Sequence, residues 1–156
     1  MDNFLEIDYR PFPAKKEIFK HEYRNDPYTE NEYMKEFQYY EETPIQNIKL
    51  DDSNYIPLTM FLPEGINYLL PIIIKDIQKG AVDGNIPIML EEFIVGLSVD
   101  RNLQQMFKFI KKSELLVLKK VLENILFGSC NYIIESVGEV YFFRSLEYLE
   151  NLVMKS

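Results

Sequence analysis

The sequence predicts an all-α or nearly all-α fold, a single-domain bundle of about six to seven helices with at most a minor β element. Three observations lead to this prediction. Apolar side chains recur at helical spacing in most segments, capping residues and prolines mark the segment ends, and only residues 130–135 have strand-like content. A lone strand cannot pair both of its edges, so this segment does not indicate a sheet.

The chain length suits one domain. A protein of 156 residues has little room for a second hydrophobic core, so we interpret 1–156 as a single unit. Residues 1–56 carry 13 acidic and 7 basic side chains and seven of the 11 Tyr, whereas residues 57–156 hold 12 acidic and 10 basic side chains and the long aliphatic runs. We therefore expect an acidic, Tyr-rich N-terminal layer over an apolar helical core.

The first predicted helix covers residues 14–24. Pro13 precedes it at a position compatible with a first helical turn, and Phe19 and Tyr23 lie four residues apart on one side. Asp26-Pro27 is expected to stop this helix, because proline lacks the N–H that another turn would need.

The second predicted helix begins at Thr29. Thr29 and Glu32 have the spacing of a capping box, in which the hydroxyl accepts the N–H three residues on and the carboxylate accepts the N–H of the cap residue. Thr43-Pro44 ends the segment. The side chains expected on its buried face are Tyr33, Phe37 and Tyr40.

A third helix is predicted over residues 63–79. Pro63 and Glu64 suit its first turn, and Gly80 is a suitable stop. Pro71 lies inside the segment, where it donates no hydrogen bond and its ring crowds the carbonyl four residues earlier. We therefore expect a kink at Pro71 or a break into two short helices.

Four further helices follow in the second half of the chain. They span residues 88–97, 101–111, 114–127 and about 139–154. Asp100 and Ser113 are suited to cap the second and third of them, and Gly128 to close the third. The last helix is expected to pack against the one before it. Its core-facing side chains are predicted to be Val140, Phe143, Leu146, Leu149 and Val153.

Catalytic and metal-binding motifs are missing from the sequence. His21-Glu22 begins an H-E-x-x-H pattern, but residue 25 is Asn and the chain has no second His, so an exposed histidine is the favoured interpretation. Cys130 has only that one imidazole as a candidate base, and we interpret it as a small buried apolar side chain. Carboxylate pairs such as Glu91-Glu92 are interpreted as solvated charge. The prediction is therefore no enzyme, no cofactor and no metal.

Charge and hydropathy narrow the class of partner. A formal net charge of −8 argues against nucleic acid, and the Lys-rich region from Lys108 to Lys120 is interpreted as a solvated helix face. Leu58 to Ile74 is the most apolar stretch, but polar residues and prolines interrupt it, so no membrane span is predicted. The first residues, M-D-N-F-L-E-I-D, do not resemble a signal peptide, and the expected location is the cytoplasm.

The acidic N-terminal part predicts a protein-binding surface. Tyrosine offers a large rigid contact area with a polar tip, and a negative field accelerates encounter with a basic partner. The alternative is that the tyrosines pack at the rim of the core beneath ordinary solvated carboxylates. The candidate partner-binding residues are Tyr39, Tyr40, Glu41, Glu42, Asp51, Asp52 and Tyr55.

Residues 63–71, P-E-G-I-N-Y-L-L-P, follow Phe61-Leu62. This segment resembles the central signature of a family of small acidic bacterial domains of unknown function, in which Leu-x-Pro-Glu leads to an aromatic-rich stretch ending in Leu-Pro. The matching positions are Pro63, Glu64, Tyr68, Leu70 and Pro71. Phe12-Pro13, the helical segment F-K-F-I-K-K-S-E-L-L and the segment S-L-E-Y-L-E-N-L are also similar, whereas the spacing before Pro63 is one residue short and the Trp positions are unfilled.

The resemblance implies a mostly helical domain without an established activity. The gene context expected of such domains adds the hypothesis of an immunity protein that neutralises a cognate bacterial toxin, such as a basic nuclease. A regulatory or scaffold module with another protein partner is the alternative. A carboxylate-dependent hydrolase is less favoured, because it would need acids and a pocket converging near Glu64 and Tyr68.

Overall fold

A computed structural model describes residues 3–128 and 132–155. Within these residues the chain forms eight α-helices and no sheet, which confirms the all-α prediction. The helices are α1 (His21–Arg24), α2 (Pro27–Glu42), α3 (Pro63–Asp83), α4 (Ile88–Val99), α5 (Arg101–Gln104), α6 (Lys112–Leu126), α7 (Tyr132–Val137) and α8 (Glu139–Lys155). Short 3-10 turns lie at Ile45–Asn47, Asp52–Asn54, Leu58–Met60 and Gln105–Phe109.

Helix α3 is the central element. It contacts α4, α5, α6 and α7, and every residue from Tyr68 to Ile74 is buried. A helix that is apolar around its whole circumference must be enclosed by other elements, and full burial of each Leu or Ile side chain stabilises the fold by about 1.5–3 kcal/mol. None of the helices in residues 3–128 and 132–155 combines the length and the apolar character needed to cross a membrane.

Pro71 does not break α3 into two short helices, which was one of the two outcomes predicted for it. The helix continues from Pro63 to Asp83, and Pro71 is buried in its middle together with Leu70 and Ile72. The missing N–H costs one helical hydrogen bond, whose net contribution is about 1 kcal/mol. Apolar packing on all sides of this turn offsets that loss and keeps the helix in one piece.

Helix α3 also ends four residues later than predicted. Gly84 is the residue that stops it, with a left-handed φ of 70° and an N–H that donates to the Gly80 carbonyl oxygen at 2.9 Å. Gly80 lies inside the helix and is buried. A Cβ atom there would be 2.7 Å from the carbonyl oxygen of Asn85, so Gly80 lets the following loop pack against the helix.

The predicted helix over residues 14–24 is wrong except for its last turn, α1. Residues 17–20 are not helical, and Phe19 forms an isolated antiparallel bridge with Phe61. The N–H of Lys20 donates to the Met60 carbonyl and the N–H of Leu62 to the Ile18 carbonyl, both at 2.9 Å. Extended pairing buries Ile18 and Phe19 together, and this tertiary gain overrides a weak local helix preference.

Helix α2 begins before Thr29, so the predicted capping box is not used. Asp26 is the N-cap, and its Oδ2 accepts hydrogen bonds from the backbone N–H and the hydroxyl of Thr29, both at 2.9 Å. These hydrogen bonds lower the pKa of Asp26. Pro27 occupies the first helical position, where its missing N–H has no cost. The dipeptide predicted to stop a helix therefore starts one, and α2 ends at Glu42 as predicted.

Of the two helix caps predicted in the second half of the chain, Asp100 is confirmed and Ser113 is wrong. Asp100 caps α5 as predicted, through its Oδ1 and the N–H groups of Asn102 and Leu103, but the segment turns into a 3-10 helix after Gln104. Ser113 does not cap α6. The N-cap is Lys111, whose N–H donates to the side chain of Glu114 at 2.9 Å, so the helix begins at Lys112, two residues earlier than predicted.

The segment with strand-like content is helical where it is described. Residues 132–135 belong to α7, whereas Cys130 and residue 131 lie outside the described residues.

Helix α8 packs against α4 and α6, which confirms the expected contact with the preceding long helix. Its predicted register is partly wrong, because Val140 is 59% and Phe143 is 43% exposed. Phe142 and Ser145 are buried in their place, and the Ser145 hydroxyl donates to the Ile94 carbonyl.

Gly65 is where the N-terminal segment crosses α3. A Cβ atom on Gly65 would overlap the carbonyl oxygen of Ile18 and lie 3.0 Å from its carbonyl carbon. Both obstructing atoms belong to backbone that is already fixed by hydrogen bonds, so they cannot move aside cheaply. Gly96 is a useful comparison, because its Cβ atom would lie 2.9 Å from the end of the Leu103 side chain and 3.5 Å from Asp100 Cβ, so no backbone atom obstructs it.

We expect Gly65→Ala to lower the free energy of unfolding by about 2–3 kcal/mol, even though alanine gains about 1 kcal/mol of helix propensity. Gly96→Ala should change it by less than about 1 kcal/mol, since the Leu103 side chain can adjust. Urea unfolding followed by circular dichroism measures both values. Equal effects of the two substitutions would contradict this interpretation of the crossing.

Candidate functional site

The predicted partner-binding residues lie where α2 ends and the irregular linker of residues 43–57 begins. The linker folds back on the helix, because the Tyr40 hydroxyl donates to the Asn54 carbonyl at 2.8 Å and the Tyr39 hydroxyl accepts the N–H of Lys49 at 2.8 Å. The structure thus brings the candidates into one region, but it gives them different roles.

The two adjacent tyrosines are mainly structural. Tyr40 is 0% exposed and packs edge-to-face against Phe61, with ring centres 5.5 Å apart, so it cannot contact a partner. Burial raises the pKa of Tyr40 far above its ordinary value. Tyr39 is half-buried and stacks edge-on against Tyr40 at 5.2 Å. For Tyr40, packing in the core is therefore the correct interpretation.

Tyr55 fixes the linker to α4. Its hydroxyl donates to Glu92 Oε2 at 2.7 Å, and Glu92 Oε1 accepts the N–H of Leu58 at 3.1 Å. Burial raises the pKa of Tyr55, and the hydrogen bond to the Glu92 carboxylate raises it further. The ring remains half-buried, so Tyr55 offers one exposed edge and a hydroxyl whose position is already determined.

Both linker aspartates are exposed, yet both hold backbone or side-chain groups in place. Asp52 Oδ1 accepts the N–H of Ile88, the first residue of α4, at 2.9 Å. Asp51 Oδ1 accepts the hydroxyl of Ser53 at 2.5 Å and the amide of Asn54 at 3.3 Å. Asp52 thus serves as a distant cap for α4, a contact that its sequence position does not indicate.

The two glutamates at the end of α2 differ in their freedom. Glu41 forms an ion pair with Arg24, whose Nε lies 3.0 Å from Glu41 Oε2, and the Arg24 guanidinium lies 5.1 Å from the ring centre of Phe37. Glu42 is exposed and has no hydrogen-bond or ion-pair partner among the described residues. Of the two, Glu42 is the one available to a partner.

Carboxylates on α2, the linker and α4 lie close enough to Tyr33 and Tyr40 to influence the pKa values of these tyrosines. Burial is the largest cause of the raised pKa of Tyr33, and the charges of Glu32, Glu36 and Glu92 raise it further. Burial also raises the pKa of Tyr40, and the charges of Asp51 and Glu36 add to that rise. These side chains come from α2, the linker and α4. We give the name acidic face to these side chains together with the exposed Glu42, at the end of α2, and the exposed Asp52, in the linker. Its members are Glu32, Glu36, Glu42, Asp51, Asp52 and Glu92.

A second candidate site is an open groove of about 620 Å³. It lies between residues 11–17, the first turns of α3 and the end of the 3-10 turn Gln105–Phe109. Its apolar walls are formed by Pro11, Pro13, Leu62, Tyr68 and Phe109, and its charged side chains are Lys15, Glu17, Glu64 and Lys108. Sequence reasoning pointed only to Glu64 and Tyr68, because the other walls come from segments far away in the chain.

Arg10 holds one wall of the groove. Its Nε donates to Asn67 Oδ1 at 3.2 Å, and its Nη1 donates to Glu114 Oε2 at 2.8 Å and to the Asp8 carbonyl at 2.6 Å. The Arg10 and Glu114 side chains are only 13% and 12% exposed. Asn67 lines the groove, so a nearly buried ion pair between the N-terminal segment and α6 positions it. The sequence carried no signal for a pair 104 residues apart.

The ionisable groups near the groove do not form a metal centre. Among residues 3–128 and 132–155, no three His, Cys, Asp or Glu side chains are arranged to hold a metal ion. His21 is exposed in α1, where its Nε2 lies 2.9 Å from Glu17 Oε1 and its Nδ1 lies 2.7 Å from the amide of Asn25. Asn25 thus lies where the H-E-x-x-H pattern would have its second metal ligand.

Comparisons with protein-family models, with curated proteins and with solved structures gave no match in any of the three. The resemblance of residues 63–71 to small acidic bacterial domains therefore stays a prediction. The acidic face and the groove are interpreted from the geometry of this chain alone.

The ion pair between Arg10 and Glu114 makes the free energy of unfolding depend on pH. Desolvation raises the pKa of Glu114, but hydrogen bonds from the Lys111 N–H and from Arg10 outweigh it, so the net pKa lies below its ordinary value of 4.5. A carboxylate with a lowered folded pKa stabilises the protein above the unfolded pKa, and this contribution disappears as the pH falls through the folded value.

We expect Glu114→Gln to lower the free energy of unfolding by about 2 kcal/mol at neutral pH, because it leaves a nearly buried guanidinium without its countercharge. The difference from the unsubstituted protein should shrink as the pH is lowered from about 5 to about 3. Glu123→Gln is the control on the same helix, since its pair with Lys119 is a more exposed i,i+4 contact worth about 0.5 kcal/mol or less. A pH-independent difference for Glu114→Gln would contradict the assignment.

A comparison of Asp52 with Glu42 tests the role of Asp52 as a cap. Asp52→Ala should lower the free energy of unfolding by about 1 kcal/mol, because it removes the acceptor for the first N–H of α4. Glu42→Ala should change it by less than about 0.5 kcal/mol, as expected for an exposed side chain without a partner. Thermal and urea unfolding measure both. An equal loss in the two variants would show that Asp52 does not act as the cap.

Proposed function

We propose that this chain is a non-catalytic protein-binding protein and that it neutralises a basic bacterial toxin by covering part of its surface. One observation supports the proposal: carboxylates on α2, the linker and α4 lie near Tyr33 and Tyr40, on a chain whose formal net charge is −8. A face of this kind favours a cationic partner and repels acidic proteins and nucleic acids.

The acidic face is suited to fast association. Its exposed members Glu32, Glu42, Asp51 and Asp52 act over roughly one Debye length, about 8–10 Å at physiological salt. Tyr39 and Tyr55 offer ring edges beside these charges, and hydrogen bonds with Lys49 and Glu92 already restrict their motion. A surface ordered before binding loses less conformational entropy in the complex.

The toxin is the expected partner because of the resemblance of residues 63–71 to small acidic bacterial domains. A basic nuclease fits the charge argument, since its cleft must bind a polyanion and the acidic face can compete for the same cationic side chains. A regulatory or scaffold module would use the same face, and only the identity of the partner separates it from an immunity protein.

A carboxylate-dependent hydrolase is the second candidate, and one observation favours it: Glu17 and Glu64 line the same open groove as Tyr68. Two carboxylates in one pocket are the minimum for general acid and base catalysis. Stoichiometry separates the two functions. A binding protein inactivates its target up to one equivalent, whereas a hydrolase acts in catalytic amounts.

Co-expression with the toxin encoded by the neighbouring gene is the direct test. We expect cells to survive, the two proteins to co-purify, and toxin activity in vitro to fall linearly to zero near a one-to-one ratio. Unprotected cells without co-purification would remove the proposal. Loss of toxin activity at substoichiometric amounts would favour the hydrolase.

Charge reversal tests the role of the acidic face in the same complex. Glu42→Lys should slow association by roughly twofold to fivefold at low salt and flatten its salt dependence, with little change in stability. Glu147→Lys, at an exposed position on α8, is the matched control and should leave the rate nearly unchanged. Equal rates for the two variants would show that the partner binds elsewhere.

A further inference from the structure

The N-terminal arm, which we define as residues 3–13, lies along α3 and α6 without forming a helix or a strand. None of its residues is fully buried, and Leu5, Ile7 and Phe12 pack half-buried against the core. A segment with few buried side chains and no backbone ladder opens at a lower free energy than the global unfolding of the protein. The arm can therefore leave its place while the helices stay folded.

Three specific contacts hold the arm. The Leu5 N–H donates to Gln78 Oε1 and the Leu5 carbonyl accepts from Gln78 Nε2, both at 2.8 Å. Arg10 forms its ion pair with Glu114, and the Phe12 ring packs edge-to-face against a tyrosine of α3 with the ring centres 5.2 Å apart. Each contact joins the arm to α3 or α6, so these two helices of a second copy offer the same partners.

Open cavities lie beside the arm along its length. They measure about 430 Å³ beside Phe4, about 210 Å³ beside Ile7, and about 620 Å³ beside Pro11 and Pro13. Side chains that face open space make fewer van der Waals contacts than side chains in a close-packed interior. The three specific contacts, more than close packing, therefore keep the arm in place.

A strained turn connects the arm to the fixed part of the chain. The Lys16 N–H donates to the Pro13 carbonyl at 2.8 Å, and Lys16 has a left-handed φ of 57°. This conformation is unfavourable for a residue with a Cβ atom, because Cβ comes too close to the following carbonyl oxygen. Two residues later, Ile18 is buried and its carbonyl accepts the N–H of Leu62. An extended hinge at Lys16 would relieve the strain and leave Ile18 in place.

We propose that the arm exchanges between two copies of the chain and so forms a symmetric dimer, in which the arm of each copy lies along α3 and α6 of the other. The exchanged arm makes the same hydrogen bonds, ion pair and ring contact as in the monomer, while the hinge straightens. A second copy is the occupant, because the surface along α3 and α6 already fits this one sequence. The dimer does not depend on the proposed function.

A charge-exchange experiment tests whether the arms change places. Arg10→Glu leaves two negative side chains at the ion pair, and Glu114→Arg leaves two positive ones. When these two variants exchange arms, each arm meets the opposite charge on the other copy. The variants are refolded together, so neither has to fold alone. Native mass spectrometry should show heterodimers that exceed the two homodimers by at least about tenfold.

Lys119→Glu mixed with Glu123→Lys is the matched control. The two mixtures have the same changes in net charge, but the control pair lies within α6, so exchange of the arms cannot restore it. We expect no excess of heterodimers in the control. A mixture of the Arg10 and Glu114 variants that stays monomeric, or an equal excess of heterodimers in both mixtures, would overturn the inference.

The hinge gives a second test in the otherwise unsubstituted protein. Lys16→Gly removes the strain from the monomer and should raise the dissociation constant of the dimer at least about tenfold. Lys15→Gly changes an exposed residue of the same turn without a left-handed φ and should raise it by less than about threefold. Sedimentation equilibrium measures these constants at high salt, which screens the repulsion between two acidic copies.

The unsubstituted protein should contain dimers after refolding at a concentration of about 1 mM, since exchange between copies depends on mass action. A protein that is entirely monomeric under these conditions would overturn the inference. Equal dissociation constants for Lys16→Gly and Lys15→Gly would overturn it as well.

Discussion

The N-terminal segment crosses the first turn of α3 at Gly65, and the arrangement of both candidate sites depends on this crossing. Backbone pairing of Ile18 and Lys20 with residues 60–62 leaves no space for a side chain at Gly65. The crossing brings Phe19 against Phe37 and Phe61, so α2 is held over the start of α3. It also brings Glu17 to the same groove as Glu64, although 47 positions separate them in the sequence.

Polar side chains form hydrogen bonds with the linker of residues 43–57, which has little regular secondary structure. Backbone groups in residues 43–57 have few helical partners, and unpaired buried N–H or carbonyl groups would destabilise the fold. Tyr39 and Tyr40 on α2 form hydrogen bonds with this linker, and Glu92 on α4 accepts the hydroxyl of the linker residue Tyr55. Tyr39, Tyr40 and Tyr55 therefore have a structural role, whereas Tyr9 and Tyr28 are exposed.

In the proposed complex the acidic face acts through its electrostatic field. That field governs how fast a basic protein approaches, but it contributes modestly to the lifetime of the complex. The lifetime depends on the apolar and aromatic contacts that are buried when the two surfaces meet.

The sequence by itself determined what depends on neighbours within one or two helical turns. The helical class, the Asp100 cap, the end of α2 at Thr43-Pro44 and the extent of α8 all follow from local spacing and capping. Only the tertiary structure decided that residues 17–20 are extended, that Tyr40 is buried, and that Asp52 and Arg10 form hydrogen bonds with distant segments. It also decided that Glu17 lines the same groove as Glu64. These outcomes depend on backbone pairing and burial between segments far apart in sequence, and a local pattern contains no information about which distant group will occupy the neighbouring space.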